Sequence, residues 1–449
     1  MKISEKIHFI GIGGIGVSAV AKLLLEMGKK VSGSDLIDTE ITDKLRQKGA
    51  EIFIGRHNAD NVSRETELIV YSNAVTSVNV ELKKSKKMKI QALSYPEFLG
   101  KMMEHFLPII VSGTHGKSTI TAMLAGIFKE AKLYPTVVVG TKMENDDNAI
   151  LGLGRYFIAE GDEYKEAFLN YNPAGLIINN IEEDHLDYYK NFDNIKKAFK
   201  KLISRVPKGG ILVANNDDPN IKKIVSRARC RVITYGIESG DYYATHIMQH
   251  GEILRFSVKG LEKFDLALRI PGQHNVYNAL AACVMSIAFG IPLATIRNGL
   301  FNFKGIWRRL QITHQDKKFT LIDDYAHHPT EIKAALQAVK SYYPGRKIWC
   351  IFQPHSRNRT KKLLKQFGPA FKGCDKLILT DIFDVAGRDK NEKISIIDLS
   401  REIKKYETVV KVLKRFNAVK EYINLNASSN DVVITMGAGT ITKLNQMLK

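Results

Sequence analysis

Leu107-Pro108-Ile109-Ile110-Val111-Ser112-Gly113-Thr114-His115-Gly116-Lys117-Ser118-Thr119 is the stretch on which the fold turns. An apolar run runs into a small, glycine-bearing loop, and a helix-type pattern follows it. Strand, glycine loop and helix open a βαβ unit with a right-handed crossover. The backbone N–H groups of residues 113–116 can cradle phosphate at a helix N-terminus. Lys117 can offset charge on β- and γ-oxygens, and a hydroxyl from Ser118 or Thr119 can reach Mg²⁺. The loop is a shortened form. The longer GxxxxGK[ST] pattern needs glycine at 111, where valine stands. The bland reading is a tight loop with no ligand.

Working outward, apolar runs at 135–139, 156–159, 175–179 and 210–214 continue the series, with helices between them. Hard ligands gather where two of these runs end. Glu160 closes one and leads into Gly161-Asp162-Glu163; Asn179-Asn180-Ile181-Glu182-Glu183-Asp184-His185-Leu186-Asp187 follows another. Strand C-termini of an open α/β sheet border its ligand crevice, so carboxylates there suggest Mg²⁺ ligands. His185 reads equally as a metal or catalytic group and as a satisfied structural histidine. Residues 230–270, broken by Gly240, Gly251 and Gly260, suggest antiparallel pairs. Residues 275–296 carry no formal charge and read as a buried helix, opened by His274 and Asn278. Asn278, Ser286, Gly290 and Pro292 argue against a membrane span.

Toward the N-terminus the same rhythm appears: strands at 7–10, 30–34, 51–54 and 67–72, helices at 17–27 and 41–48. Gly11-Ile12-Gly13-Gly14-Ile15-Gly16 lies between the first strand and helix, and Asp35 ends the second strand. The glycines permit a tight turn against a phosphate, and the acid could hold a ribose. Tight packing alone is the alternative. Toward the C-terminus, strands at 320–323, 347–352, 376–380 and 431–436 form a third series. Three polar clusters belong to it: Trp307-Arg308-Arg309, Asp323-Asp324-Tyr325-Ala326-His327-His328-Pro329, and His355-Ser356-Arg357-Asn358-Arg359. Each is a binding-site candidate, or else a helix cap or surface loop. The HExxH zinc spacing is absent.

The chain has 449 residues, enough for three domains at about 150 each. It is 44% hydrophobic and 25% charged, which excludes a wholly disordered chain. Its four cysteines, Cys230, Cys283, Cys350 and Cys374, lie far apart and read as buried thiols in a reducing compartment. Lys+Arg 67 against Asp+Glu 47 gives a net charge of +20. The lysines are scattered in short groups, so a solvated basic surface is expected rather than a nucleic-acid partner. A strand pattern starting near residue 6 leaves no room for a signal peptide before it. A cytoplasmic protein, not inserted in membranes, is expected.

Taken in order, Gly11 to Gly16, Ser112 to Thr119, Asn180 to Asp187, His274 to Asn278, Asp323 to Pro329 and Met436-Gly437-Ala438-Gly439 resemble the Mur ligases of peptidoglycan synthesis. The resemblance covers nearly the full chain. It implies an α/β protein of three domains: a Rossmann-like UDP-sugar domain (1–105), a central P-loop-type ATPase domain (106–303) and a Rossmann-like C-terminal domain (304–449). It implies an ATP-dependent reaction through an acyl phosphate, and the motifs stand nearest those members that join L-alanine to UDP-N-acetylmuramate. The residue roles implied are these. Gly113, Thr114, His115, Gly116, Lys117, Ser118 and Thr119 hold ATP phosphates, with His274 and Asn278 at adenine and Asp324 at ribose. Lys117, His185 and Arg309 are catalytic. Ser118, Glu160 and His185 hold Mg²⁺. Gly13, Gly14, Ile15, Gly16, Asp35, Ser72 and Asn73 face the UDP part, and Tyr325, His327, His355 and Arg359 line the carboxylates of alanine and muramate. A monomer or weak homodimer is expected. Three stretches depart from the pattern: Gly161 to Lys165, Ser356 in place of an arginine, and residues 381–388. The readings in competition are a tripeptide-adding ligase of the same family, an NAD-dependent oxidoreductase suggested by Gly11 to Gly16 with Asp35, and an ATP-dependent nucleic-acid protein.

Overall fold

A computed structural model describes residues 3–143, 147–226, 228–384 and 393–449. They fall into two compact units. One comprises Met1–Tyr243, Lys259–Glu262 and Tyr277–Leu300; the other comprises Ala244–Val258, Lys263–Val276 and Phe301–Lys449.

The first unit contains a five-stranded parallel sheet in the order Glu51–Ile54, Lys30–Asp35, Lys6–Ile10, Leu68–Tyr71, Gln91–Ser94. Its central strand is buried along Ile7, His8, Phe9 and Ile10. Apolar residues at both alternations are what a strand covered on two faces requires. The chain leaves this strand through Gly11, at φ +79°, and enters the helix Ile15–Glu26, which buries Val17, Ala19, Val20, Leu23 and Leu24.

The second sheet of this unit places Leu107–Ser112 between Gly175–Ile178 and Tyr156–Gly161, all parallel. Ile211–Asn215 and Arg231–Gly236 extend it on one side, Thr136–Val138 and the antiparallel Ala149–Ile150 on the other. Register aligns Ser112 with Gly161 and with Ile178. The phosphate loop, the carboxylates after Glu160 and the Asn179–Asn180 pair therefore leave the sheet at one edge. The buried apolar residues of both sheets join in one continuous core, from Ile7 and Phe98 to Phe157 and Leu212. Asn148 and Lys22 add polar ties. Asn148 Nδ2 donates to the Ile15 carbonyl at 2.6 Å, and Lys22 Nζ to the Ala149 carbonyl at 2.9 Å.

The second unit carries a six-stranded sheet in the order Gln311–Gln315, Thr320–Asp324, Asp431–Met436, Lys347–Phe352, Lys376–Leu379, Val410–Val412, parallel except for its first strand. Ile253–Gly260 and Phe264–Leu268 pair antiparallel, as the glycine-broken pattern suggested. The buried helix Gln273–Ala288 and the helix Leu293–Phe301 that follows it belong, from Tyr277 to Leu300, to the first unit. No helix among the described residues is long and apolar enough to cross a membrane.

Gln91–Ser94, Gln311–Gln315 and Val410–Val412 are strands the sequence pattern did not announce. They are short edge strands with at most two apolar residues each. All four cysteines are free, but only Cys283 and Cys350 are buried. Cys230 and Cys374 are partly exposed, which corrects the expectation of four buried thiols. Within the atypical stretch 381–388, residues 385–388 lie outside the described residues.

Candidate active site

The glycine turn is closed by the acid at the end of the next strand, 22 residues away. Gly13 N donates to Asp35 Oδ2 at 2.8 Å, while Gly11 N and Ile12 N donate to the Ser34 carbonyl at 2.8 and 3.1 Å. A Cβ on Gly16 would stand 2.8 Å from the Tyr95 ring, so a larger residue there has to displace that ring from the start of the helix. Ser72 Oγ takes the Ala74 N–H at 3.3 Å, and the Asn73 carbonyl takes Lys165 Nζ at 3.0 Å. Gly13, Gly14, Ile15, Gly16, Asp35, Ser72 and Asn73 thus share one edge of the first sheet. Asp35 spends an oxygen on the turn itself.

The phosphate loop is fastened from behind by two asparagines. Thr114 N donates to the Asn180 carbonyl at 3.0 Å and His115 N to Asn180 Oδ1 at 2.7 Å. Asn179 Nδ2 donates to the His115 carbonyl at 3.0 Å and to Asn278 Oδ1 at 3.3 Å, and Tyr235 holds Asn179 Oδ1 at 2.6 Å. Gly116, at φ +85°, precedes the helix Lys117–Glu130, so its free N–H groups point into the loop. Ser118 and Thr119, in the first helical turn, are mostly buried.

Lys117 Nζ donates to the carbonyls of Gly113 at 2.6 Å and Thr114 at 3.2 Å, and pairs with Glu163 Oε2 at 2.8 Å. Burial works against the charge on Lys117. Glu163, Asp162 and Glu160 outweigh it and raise its pKa. The proton therefore stays on the lysine. Burial also raises the Glu163 pKa, against the pull of Lys117.

Donor atoms of Asp162, Glu163 and His185 lie within 4.8 Å of one another. His185 sits at φ +52° ahead of a one-turn helix, and its Nδ1 is buried without a hydrogen-bond partner. Two carboxylates and an imidazole are a donor set that fits a divalent cation, with the oxygens suited to Mg²⁺. Glu160, expected in this role, is not of that group; its Oε1 accepts the Gly140 N–H at 2.6 Å. The sequence marks Glu163 only as one of the hard ligands after a strand end, not as the partner of Lys117. Its partnership with Lys117 spans 46 residues, and the signal was only its place after a strand end.

In the second unit, the polar clusters converge. Arg309 lies over the Tyr325 ring at 5.3 Å and pairs with Glu331 at 3.5 Å. The His327 ring is 5.4 Å from Tyr325 and 5.9 Å from His355, and Arg359 Nη1 meets His355 Nδ1 at 3.2 Å. Phe383 stacks on His355 at 5.4 Å. Asp324 is buried and accepts the N–H groups of Leu310 and Ala326, both at 2.7 Å. His274 is half-buried; its loss of hydration, with Arg309 nearby, pushes its pKa down to about 4, so its ring is neutral near pH 7. Arg308, without an assigned role in the sequence reading, is buried and bonds Asp323 Oδ2 at 3.1 Å and the Gly437 carbonyl.

Comparison with known families matches residues 6–107 to the Mur ligase family, catalytic domain; residues 111–286 to the Mur ligase middle domain; and residues 308–439 to the Mur ligase, glutamate ligase domain. The chain is 44% identical to a UDP-N-acetylmuramate–L-alanine ligase of Clostridium kluyveri, over 99% of this chain and 98% of that protein. It is 41% identical to the Clostridium acetobutylicum protein of the same name, over 99% and 97%. A solved UDP-N-acetylmuramate–alanine ligase from Thermotoga maritima superposes with a TM-score of 0.84 at 30% identity, covering 99% of this chain and 98% of that one.

Proposed function

Because the chain belongs to the Mur ligase family, we propose that it joins L-alanine to the lactyl carboxylate of UDP-N-acetylmuramate at the expense of ATP, as a cytoplasmic step in making peptidoglycan precursor. The observation that carries this reading is full-length identity of 44% to a relative bearing that activity in its name. The three matched segments support the boundaries 1–105, 106–303 and 304–449.

The chemistry follows from a weak electrophile. A carboxylate resists attack by an amine, so one of its oxygens first takes the γ-phosphoryl group of ATP, releasing ADP. The amine of L-alanine then adds to the acyl carbon, loses a proton, and the tetrahedral intermediate expels inorganic phosphate. Such steps need alignment and charge neutralisation more than covalent help from the protein. Loop N–H groups at 113–116 and the ammonium of Lys117 meet the phosphates. Because Glu163 holds Lys117 at 2.8 Å, the cation is fixed before reaction and pays little to reorganise. Mg²⁺, when bound, neutralises phosphate oxygens. Ser118, Glu160 and His185 are the holders expected from sequence, and the clustering of Asp162 and Glu163 with His185 adds those two. In the second unit, neutral His274 suits an adenine face, and Arg309 offers charge to the transferring group. Asp324 shapes the 308–310 turn against which a ribose would rest. Tyr325, His327, His355 and Arg359 supply donors and a cation for the two carboxylates.

The test is phosphate release from ATP with UDP-N-acetylmuramate, offering L-alanine or a murein tripeptide. Turnover with L-alanine is expected. Turnover with the tripeptide alone refutes the choice of amine, and no turnover with either refutes the ligase reading.

A further inference from the structure

We propose that Glu81 is a positioning residue for the sugar nucleotide, acting through Ser34 on the glycine turn. The inference rests on the reading of that turn as the place where the UDP moiety binds.

Glu81 opens the helix Val80–Met88 and is fully buried. An isolated carboxylate in such surroundings costs several kcal/mol, so its bonds explain its presence. It accepts Ser34 Oγ at 2.7 Å and Asn61 Nδ2 at 2.8 Å, and meets His8 Nε2 at 3.1 Å and His57 Nδ1 at 3.2 Å. His8 in turn meets Ser32 Oγ at 2.8 Å. Burial works against the charge on Glu81. The hydrogen bonds from His8, Ser34 and Asn61 outweigh it and bring the pKa down to about 2. Charge-assisted bonds of this kind are the strong ones.

The network ends on the backbone that shapes the turn. Ser34 is held by its side chain to Glu81, and its carbonyl receives both Gly11 N and Ile12 N. The next residue, Asp35, receives Gly13 N. Three consecutive N–H groups of the turn are thus oriented by two residues whose strand end is clamped by one carboxylate. An apolar residue at 81 could fill the same volume. What the carboxylate adds is a fixed direction for Ser34, and so for the turn, which a phosphate-binding loop needs to within a fraction of an ångström.

The experiment compares Glu81→Gln, Ser34→Ala and the double variant in the full-length enzyme. Direct titration with UDP-N-acetylmuramate is followed by calorimetry, and KM values by phosphate release. Glutamine turns one acceptor into a donor facing donors. Affinity for the sugar nucleotide should fall about tenfold, while KM for ATP and for L-alanine stays within twofold and kcat within threefold. Ser34→Ala, a mild change that keeps the fold, should reproduce most of this loss, and the double variant should add little to either. Gly16→Val separates the two layers of the argument. If Gly16→Val binds the sugar nucleotide normally, the turn is not its site and the parent reading fails. If Gly16→Val abolishes binding but Ser34→Ala and Glu81→Gln leave it within twofold, the turn is the site and the positioning role of Glu81 is overturned. Equal losses toward all three substrates would mark a general structural role and overturn it as well.

Discussion

Replacing Gly116 by alanine tests whether the phosphate loop is built as described. At φ +85° the residue sits in the left-handed region, where a Cβ costs about 1–2 kcal/mol. The added methyl would also come within 2.5 Å of Asn278 Oδ1 and 2.6 Å of Asn179 Nδ2. Neither side chain can simply swing away. Asn179 is held by Tyr235 at 2.6 Å and itself holds the His115 carbonyl at 3.0 Å. Losing one such bond costs about 1 kcal/mol. The sum, about 2–3 kcal/mol, corresponds to a loss of roughly 30- to 150-fold in affinity if the loop turns to relieve it. KM for ATP, from phosphate release, should therefore rise on the order of 100-fold. Gly209→Ala is the control, because a Cβ there meets nothing within 4 Å. A KM for ATP within threefold of wild type, with an unchanged melting temperature, would refute the account of the loop.

Lys117→Met keeps the length of the side chain and removes its charge; phosphate release at saturating ATP should fall about 10²- to 10³-fold, and activity within tenfold of wild type would sink the role. Asp324, pushed up from 3.8 to about 6 mainly by burial, keeps a proton in the folded state that the unfolded chain has already lost. Its contribution to stability therefore falls as pH rises from about 4 to about 6, with a penalty of about 3 kcal/mol complete above that. Urea denaturation of wild type and Asp324→Asn should show the wild type losing ground to the variant across that window, and a constant difference would contradict it.

The phosphate loop was legible because its working parts are neighbours in the chain, from Gly113 to Thr119. Strand ends and their polar clusters were legible for the same reason. What could not be read were contacts made by folding. Glu163 reaches Lys117 across 46 residues, from just before a turn in which Lys165 and Glu166 both adopt positive φ. Arg308 and Arg309 are adjacent and alike on the page. In the structure Arg308, at φ +56°, is buried against Asp323, whereas Arg309 is more exposed and pairs with Glu331. From the sequence Asp35 is a candidate to hold a ribose, and its bond to Gly13 N shows that it also holds the turn closed. Glu81 lies inside a lysine-rich helical stretch whose surface character hides one buried charge.

The core shared by the first two sheets bears on how the chain comes apart. Ile7, Phe98 and Phe168 belong to one body of apolar contacts, and Asn148 and Lys22 tie its polar margin to the helix Ile15–Glu26. A break in sequence between residues 105 and 106 is therefore not a break in cohesion. The two sheets should melt in a single cooperative transition, and a protease should find no early cut that frees the first hundred residues intact. Grafting that segment onto another ATPase would strip one face of its oil, so recombination within this architecture has to exchange both sheets together.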